Sequence, residues 1–236
     1  MSLDLTIAAA ADEAPPAPTE ELPKLSNIGT RALIIEAPGA FDLRQQRRIL
    51  ALADEVATWS GVVEVVPGVT NLMLIFAEPP RDLQACRRAL AEAWRRLPPK
   101  QLASRVIEIP VIYGGELGSD LAAVCAYSGL PREEVIRIHS SGTYTVCCLG
   151  SSPGFGYLHG LDPKIFMPRK TVPSLRMLAG TVTIGGMQAG VSVSTGPNGW
   201  NAIGFTAVSM FDLARDTPAL LAPGDIVRFT IERDEP

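Results

Sequence analysis

Beyond Thr143 the helical repeat of apolar residues stops and glycine and proline take over, which limits this half of the chain to short strands joined by tight turns. Turn residues recur at Gly154, Gly160, Pro168, Gly180, Gly185-Gly186 and Gly196-Pro197, with apolar, β-branched segments between them. A chain of this kind closes its sheet into a β-barrel, wholly or in part, or stacks it as a sandwich. The last segment, DIVRFTIE, alternates Val227, Phe229 and Ile231 with mixed residues, which predicts a strand with those three side chains inside.

The first half reads differently. TRALIIEA, VVEVVPG, NLMLIFAE and RVIEIPVIY have strand character, and two amphipathic helices lie among them. Leu43, Ile49, Leu50, Ala53 and Val56 mark the apolar stripe of the first helix, and Leu83, Cys86, Leu90, Ala93, Trp94 and Leu97 that of the second. The order β-α-β-β-α-β predicts an α+β arrangement: a ferredoxin-like domain over 29–112 with four antiparallel strands and both helices on one face. The arginine pairs Arg47-Arg48, Arg87-Arg88 and Arg95-Arg96 are read as the wet faces of those helices. YGGELG, from Tyr113, marks the domain boundary, so the barrel domain is assigned 113–236. It opens with two short helices, SDLAAVCAYSG ended by Gly129, and LPREEVIRIH with Glu133 and Glu134 in its first turn, where the helix dipole favours anions. Residues 1–28, rich in Ala, Pro and Glu, read as a disordered tail without the positive charge of a signal peptide.

The net charge of −4 implies no nucleic-acid partner, and no apolar run is long enough to span a membrane. Cys86, Cys125, Cys147 and Cys148 form no CxxC pair and only two histidines accompany them, so no metal site is expected and the thiols are read as reduced, in a cytoplasm. No GxxxxGK[ST] occurs, which leaves any ATP use to a partner in an assembled complex or to another kind of site.

The chemistry concentrates in YTVCCLGSSPGFGY, Tyr144 to Tyr157, where a strand runs into a loop built to hold something. Gly150 to Gly154 match GxSxG, but Pro153 has no N–H for an oxyanion hole and no helix can follow, so a serine nucleophile is rejected. Arg169, after Pro168, suits a planar carboxylate or carboxylated nitrogen, or else a surface ion pair. Gln188, between two glycine-bearing strands, can pair with an amide through both donor and acceptor. Trp200 covers a pocket or closes the barrel core. His139 could donate and accept near an amide, or cap the end of its helix; His159 reads as a loop residue.

YGGELGSDL, SGLPREEVIRIHSSGTYTV, LGSSPGFGYLHGLD, PRK and AGTVTIGGMQAGVS…GPNGWNAIGFT together resemble the KipI/PxpB family, whose members are called allophanate hydrolase subunit 1, carboxyltransferase subdomains C and D, or the B-type subunit of 5-oxoprolinase. The resemblance runs from Thr30 to Glu232. It implies an N-terminal α/β domain and a cyclophilin-like β-barrel. It also implies work alongside a KipA/PxpC-like partner (allophanate hydrolase subunit 2), with a LamB/YcsF-like third subunit in the 5-oxoprolinase branch. The activity implied first is ATP-dependent opening of 5-oxoproline, a cyclic amide; other branches inhibit a sensor histidine kinase or resemble the carboxyltransferase of urea carboxylase. No covalently bound cofactor is implied. On this reading Arg169 binds a carboxylate, Gln188 orients an amide, and His139 assists proton transfer or positions a loop. Gly154 and Gly156 bring backbone N–H groups to an oxyanion, with Phe155, Tyr157 and Trp200 around the substrate. The chain departs from the family at Ser151, in place of an aromatic, at Ser192-Val193, in place of Tyr-Pro, and at Phe205, in place of an arginine, which changes pocket shape and charge.

Overall fold

The computed structural model describes residues 22–102 and 105–236. Strands β1 (Lys24–Ile28) and β2 (Ala32–Glu36) lead into helix α1 (Leu43–Val56). Strands β3 (Val62–Pro67) and β4 (Asn71–Phe76) follow, and then helix α2 (Leu83–Arg96). These four strands form one antiparallel sheet in the order β1-β2-β4-β3. Asp42 and Asp82 start the helices: their carboxylates accept from Arg44 N–H and Ala85 N–H, satisfying donors that the helix leaves free. Ile49, Leu52 and Val56 of α1 and Leu90, Ala93 and Trp94 of α2 share one buried cluster with Leu33, Ile35, Leu72 and Leu74 of the sheet, so both helices cover one face.

From β2 onward the elements follow the expected β-α-β-β-α-β order, but the first sheet is not made of the four strands expected. Lys24–Ile28, assigned to the tail, is the first strand, and residues 1–21 of that tail lie outside the described residues. RVIEIPVIY is a strand, as expected, but β5 (Val106–Gly114) belongs to the barrel, which takes residues assigned to the first domain. Period-two alternation tells which face of a strand is buried and says nothing of its neighbour. Arg48 also departs from the wet-face reading: it is 8% exposed, its guanidinium lies 4.6 Å from the centroid of the Trp94 ring, and it donates to Trp94 O at 2.5 Å.

After β5 come helices α3 (Leu121–Ser128) and α4 (Arg132–Ser141), then strands β6 (Tyr144–Leu149), β7 (Gly156–His159), β8 (Ser174–Met177), β9 (Thr181–Gly185), β10 (Gln188–Val191), β11 (Gly196–Asn198), β12 (Asn201–Phe205) and β13 (Ile226–Glu235). Seven of these strands close a barrel in the order β10-β7-β6-β13-β5-β12-β9, with β13 parallel to β5, while β8 and β11 pair as a separate ribbon. Closure removes the exposed edges that so many short strands would otherwise leave. Ile109, Val111, Val146, Leu158, Ile184, Ala189, Val227 and Phe229 fill the inside, and Val135, Ile136 and Ile138 of α4 pack into the same core. Ile231 was expected inside but is 54% exposed, because a register shift follows it and β13 continues past the core. No helix among the described residues is long and apolar enough to cross a membrane.

Candidate functional site

The β6–β7 hairpin, the segment before β8 and the start of β12 meet at a cleft of about 510 Å³. Ser151, Ser152, Phe155, Tyr157, Arg169 and Trp200 line it, together with Met177 and the run from Ser192 to Gly199. The aromatic rings make a wall. Phe155 and Tyr157 stand edge to face at 5.1 Å, and Trp200 meets them at 5.7 and 6.2 Å.

Two glycines let Trp200 and Phe155 lie directly on the sheet. A Cβ at Gly185 would sit 2.6 Å from the indole, and one at Gly190 would sit 2.9 Å from Phe155 Cζ. This face of β9 and β10 is the one opposite Ile184 and Ala189, which point into the barrel. Trp200 is thus cleft wall and packed side chain together, 5% exposed.

Arg169 is exposed, with its guanidinium carbon 5.8 Å from the Trp200 ring centroid, and no carboxylate pairs with it among the described residues. Its loop is pinned from both sides. Asn201 Nδ2 donates to Pro168 O at 2.9 Å, and Lys170 N–H donates to Gly199 O at 2.7 Å. Asn198 Oδ1 accepts from Trp200 N–H at 2.9 Å, and Asn198 Nδ2 donates to Ser192 Oγ at 3.3 Å. Ser151 stands at φ +66°, and a bond from Ser152 N–H to Gly150 O closes a three-residue turn around it, a strained arrangement for a residue with a side chain.

Of the residues expected at the site, Phe155, Tyr157, Arg169 and Trp200 come together, and the others do not line the cleft. Gly154, at φ +82°, packs against Met210 and Phe211, and Gly156 packs against Leu221, so backbone conformation and close packing account for glycine at these positions. Gln188 pairs with Gly185 on one side and His159 on the other, which puts it on the same sheet face as Trp200 but beyond the cleft lining. His159 is a strand residue, and its ring meets Phe41 of the first sheet's connection at 4.3 Å.

His139 is fully buried at the end of α4, away from the cleft. It stacks on Phe229 at 4.6 Å, meets the Tyr113 hydroxyl through Nδ1 at 2.7 Å, and has no partner at Nε2 among the described residues. Tyr144 donates to its carbonyl at 2.8 Å. Burial pushes its pKa down to about 3, so the ring is neutral, and it reaches no solvent-borne substrate; it does not serve the cleft as an acid or base. Burial likewise drives the Tyr113 hydroxyl far above its ordinary range, so it stays protonated.

Sequence reasoning passed over Asp120. Its Oδ2 accepts from Lys170 Nζ at 2.7 Å and from Ala202 N–H at 2.8 Å, joining the start of α3 to the Arg169 loop and to β12. The only signal was its place in YGGELGSDL, because its partners lie 50 and 82 residues away.

Residues 23–221 match the family model described as carboxyltransferase domain, subdomain C and D. A protein from Escherichia coli O157:H7, named as the B-type subunit of 5-oxoprolinase, is 42% identical over 207 residues, 88% of this chain and 95% of that protein. The crystal structure of TTHA0988 superposes with a TM-score of 0.72 at 36% identity, covering 87% of this chain and 40% of that longer one. The urea amidolyase of K. lactis, at 20% identity, shares the fold with a TM-score of 0.77 over 93% of this chain and 15% of its own.

Proposed function

Since this chain belongs to the family of carboxyltransferase domains, subdomains C and D, we propose that it is one subunit of a hetero-oligomeric, ATP-dependent enzyme that opens a small cyclic amide, of the 5-oxoprolinase type. The observation that carries this is the make-up of the cleft: among the described residues Arg169 is the only formally charged one lining it, and it stands without an ion-pair partner beside an aromatic wall and a rim of hydroxyls. A guanidinium fork suits one carboxylate, Trp200 and Tyr157 suit the flat face of an amide ring, and Ser151, Ser152 and Ser194 offer hydrogen bonds to its polar edge. Among the described residues, none lining the cleft is a carboxylate, histidine or lysine that could activate water or a phosphate. The chain thus supplies recognition, and a KipA/PxpC-like subunit, with a LamB/YcsF-like third subunit, supplies the acid–base groups and the ATP site. Gln188, on the sheet face beside Trp200, is assigned to the contact with that partner's half of the substrate pocket. The likeness to a protein named as part of 5-oxoprolinase supports the substrate, and the assembly is assigned to the cytoplasm.

A second reading keeps the cleft and changes the chemistry. The family description favours carboxyl transfer, in which Arg169 would hold a carboxylated nitrogen whose carrier sits on another chain.

Co-expression with the products of neighbouring genes tests both. ATP-dependent conversion of 5-oxoproline to glutamate by the purified assembly, absent when this chain is omitted, is the expected result. Biotin-dependent carboxyl transfer without 5-oxoproline turnover would select the second reading, and full activity of the partners without this chain would defeat both.

A further inference from the structure

The residue next to Arg169 is a second cation, yet Lys170 is absent from the lining of the cleft. Its Nζ is held by Asp120 Oδ2 at 2.7 Å and by Ser174 Oγ at 2.6 Å. Both members of the ion pair are mostly buried, with side chains 18% and 20% exposed, so solvent screens it less than a surface pair. Its backbone stays at the site, because Lys170 N–H bonds the carbonyl of Gly199, a lining residue. Asp120 is itself fixed by β12: Asp120 N–H donates to Ala202 O at 2.9 Å, and its carboxylate accepts from Ala202 N–H.

We infer that Asp120 determines the charge selectivity of the cleft: by neutralising Lys170 it leaves Arg169 as the single positive charge that the described residues present there, so the site takes a monoanion in preference to a dianion. Two adjacent free cations would instead reward a second carboxylate or a phosphate. Asp120 acts through Lys170 and touches no ligand. The inference rests on the reading of the cleft as a carboxylate site.

The test is competition binding of 5-oxoproline, a monoanion, against glutarate, a dianion. It uses the full chain alone and with its companion KipA/PxpC-like protein, at low and at high salt. Asp120→Asn keeps an acceptor for Ala202 N–H and removes the charge. It is expected to move the affinity ratio towards glutarate by about tenfold at low salt, and by less at high salt. Lys170→Met, which leaves Asp120 uncompensated, is expected to move the ratio the other way, and the two substitutions together to restore it. A merely structural role would weaken both ligands together and would not be rescued by the second substitution. Ratios unchanged in both single variants overturn the inference alone. Wild-type protein that binds neither anion, in either form, overturns the proposed function and this inference with it.

Discussion

Gln46 of α1 donates from Nε2 to the carbonyl of Cys147 in β6, 101 residues away in the chain, at 3.0 Å. The same amide donates to Gly68 O at 2.9 Å and accepts from Thr70 N–H at 2.7 Å, so one side chain, 1% exposed, ties the first helix, the β3–β4 turn and the barrel together. Gln46→Leu keeps the volume and strands three backbone groups. We expect a loss of about 3 kcal/mol in urea unfolding, the scale of buried polar groups left unpaired. A loss below about 0.5 kcal/mol would show that water replaces the amide.

His139 makes stability depend on pH. Its pKa is about 3 in the folded chain against an ordinary 6.5, because burial disfavours the imidazolium. Between those values the unfolded chain binds the extra proton. Its contribution is therefore complete above about pH 6.5 and is lost as pH falls towards 3, with a slope of up to about 1.4 kcal/mol per pH unit. His139→Gln should flatten the pH dependence of the unfolding midpoint between pH 6.5 and 4 relative to the parent. Parallel curves would mean that carboxylates elsewhere carry the acid sensitivity.

Much of the fold was legible because its signals are local. The apolar stripes at Ile49 and Val56, or at Leu90 and Trp94, point inward whatever their neighbours are. Pairing partners were not legible. KLSNI is a short, largely exposed edge strand with little apolar pattern, and the alternation in β5 cannot say that β12 and β13 flank it. Arg48 looked solvated because its burial depends on the Trp94 ring, which lies on the other helix. At the site, Arg169, Phe155, Tyr157 and Trp200 could be read from proline, glycine and aromatic motifs. His139 misled because residue type suggests chemistry and burial against Phe229 denies it.

Ser151 holds a left-handed backbone that a side chain disfavours by about 1–2 kcal/mol. Ser151→Gly should therefore raise the unfolding free energy by about 1 kcal/mol. If the hydroxyl also binds the substrate, 5-oxoproline affinity should fall in the same variant. A destabilised variant would show that the serine side chain stabilises the turn by more than the strain costs.

Gly185 and Gly196 differ in what a methyl group would meet. At Gly185 it would collide with the Trp200 indole, whereas at Gly196 no described residue beyond its chain neighbours lies within 4 Å. Gly185→Ala should cost about 1–3 kcal/mol and shift Trp200 fluorescence, as overpacking displaces the ring. Gly196→Ala should do neither. Equal effects at both positions would mean that the indole does not rest on β9.

Arg169→Lys separates recognition from folding. The guanidinium is exposed and makes no ion pair among the described residues, so the unfolding midpoint should stay where it is. The fork that grips a carboxylate with two parallel bonds is lost, and an ammonium holds it only as a point charge. For the assembled enzyme we expect KM for 5-oxoproline to rise by about tenfold or more, the scale of one charge-assisted hydrogen bond, with a smaller change in kcat. Arg169→Ala should extend the same trend. A drop confined to kcat would place the guanidinium at the reacting atoms, and unchanged kinetics in both variants would remove Arg169 from the site.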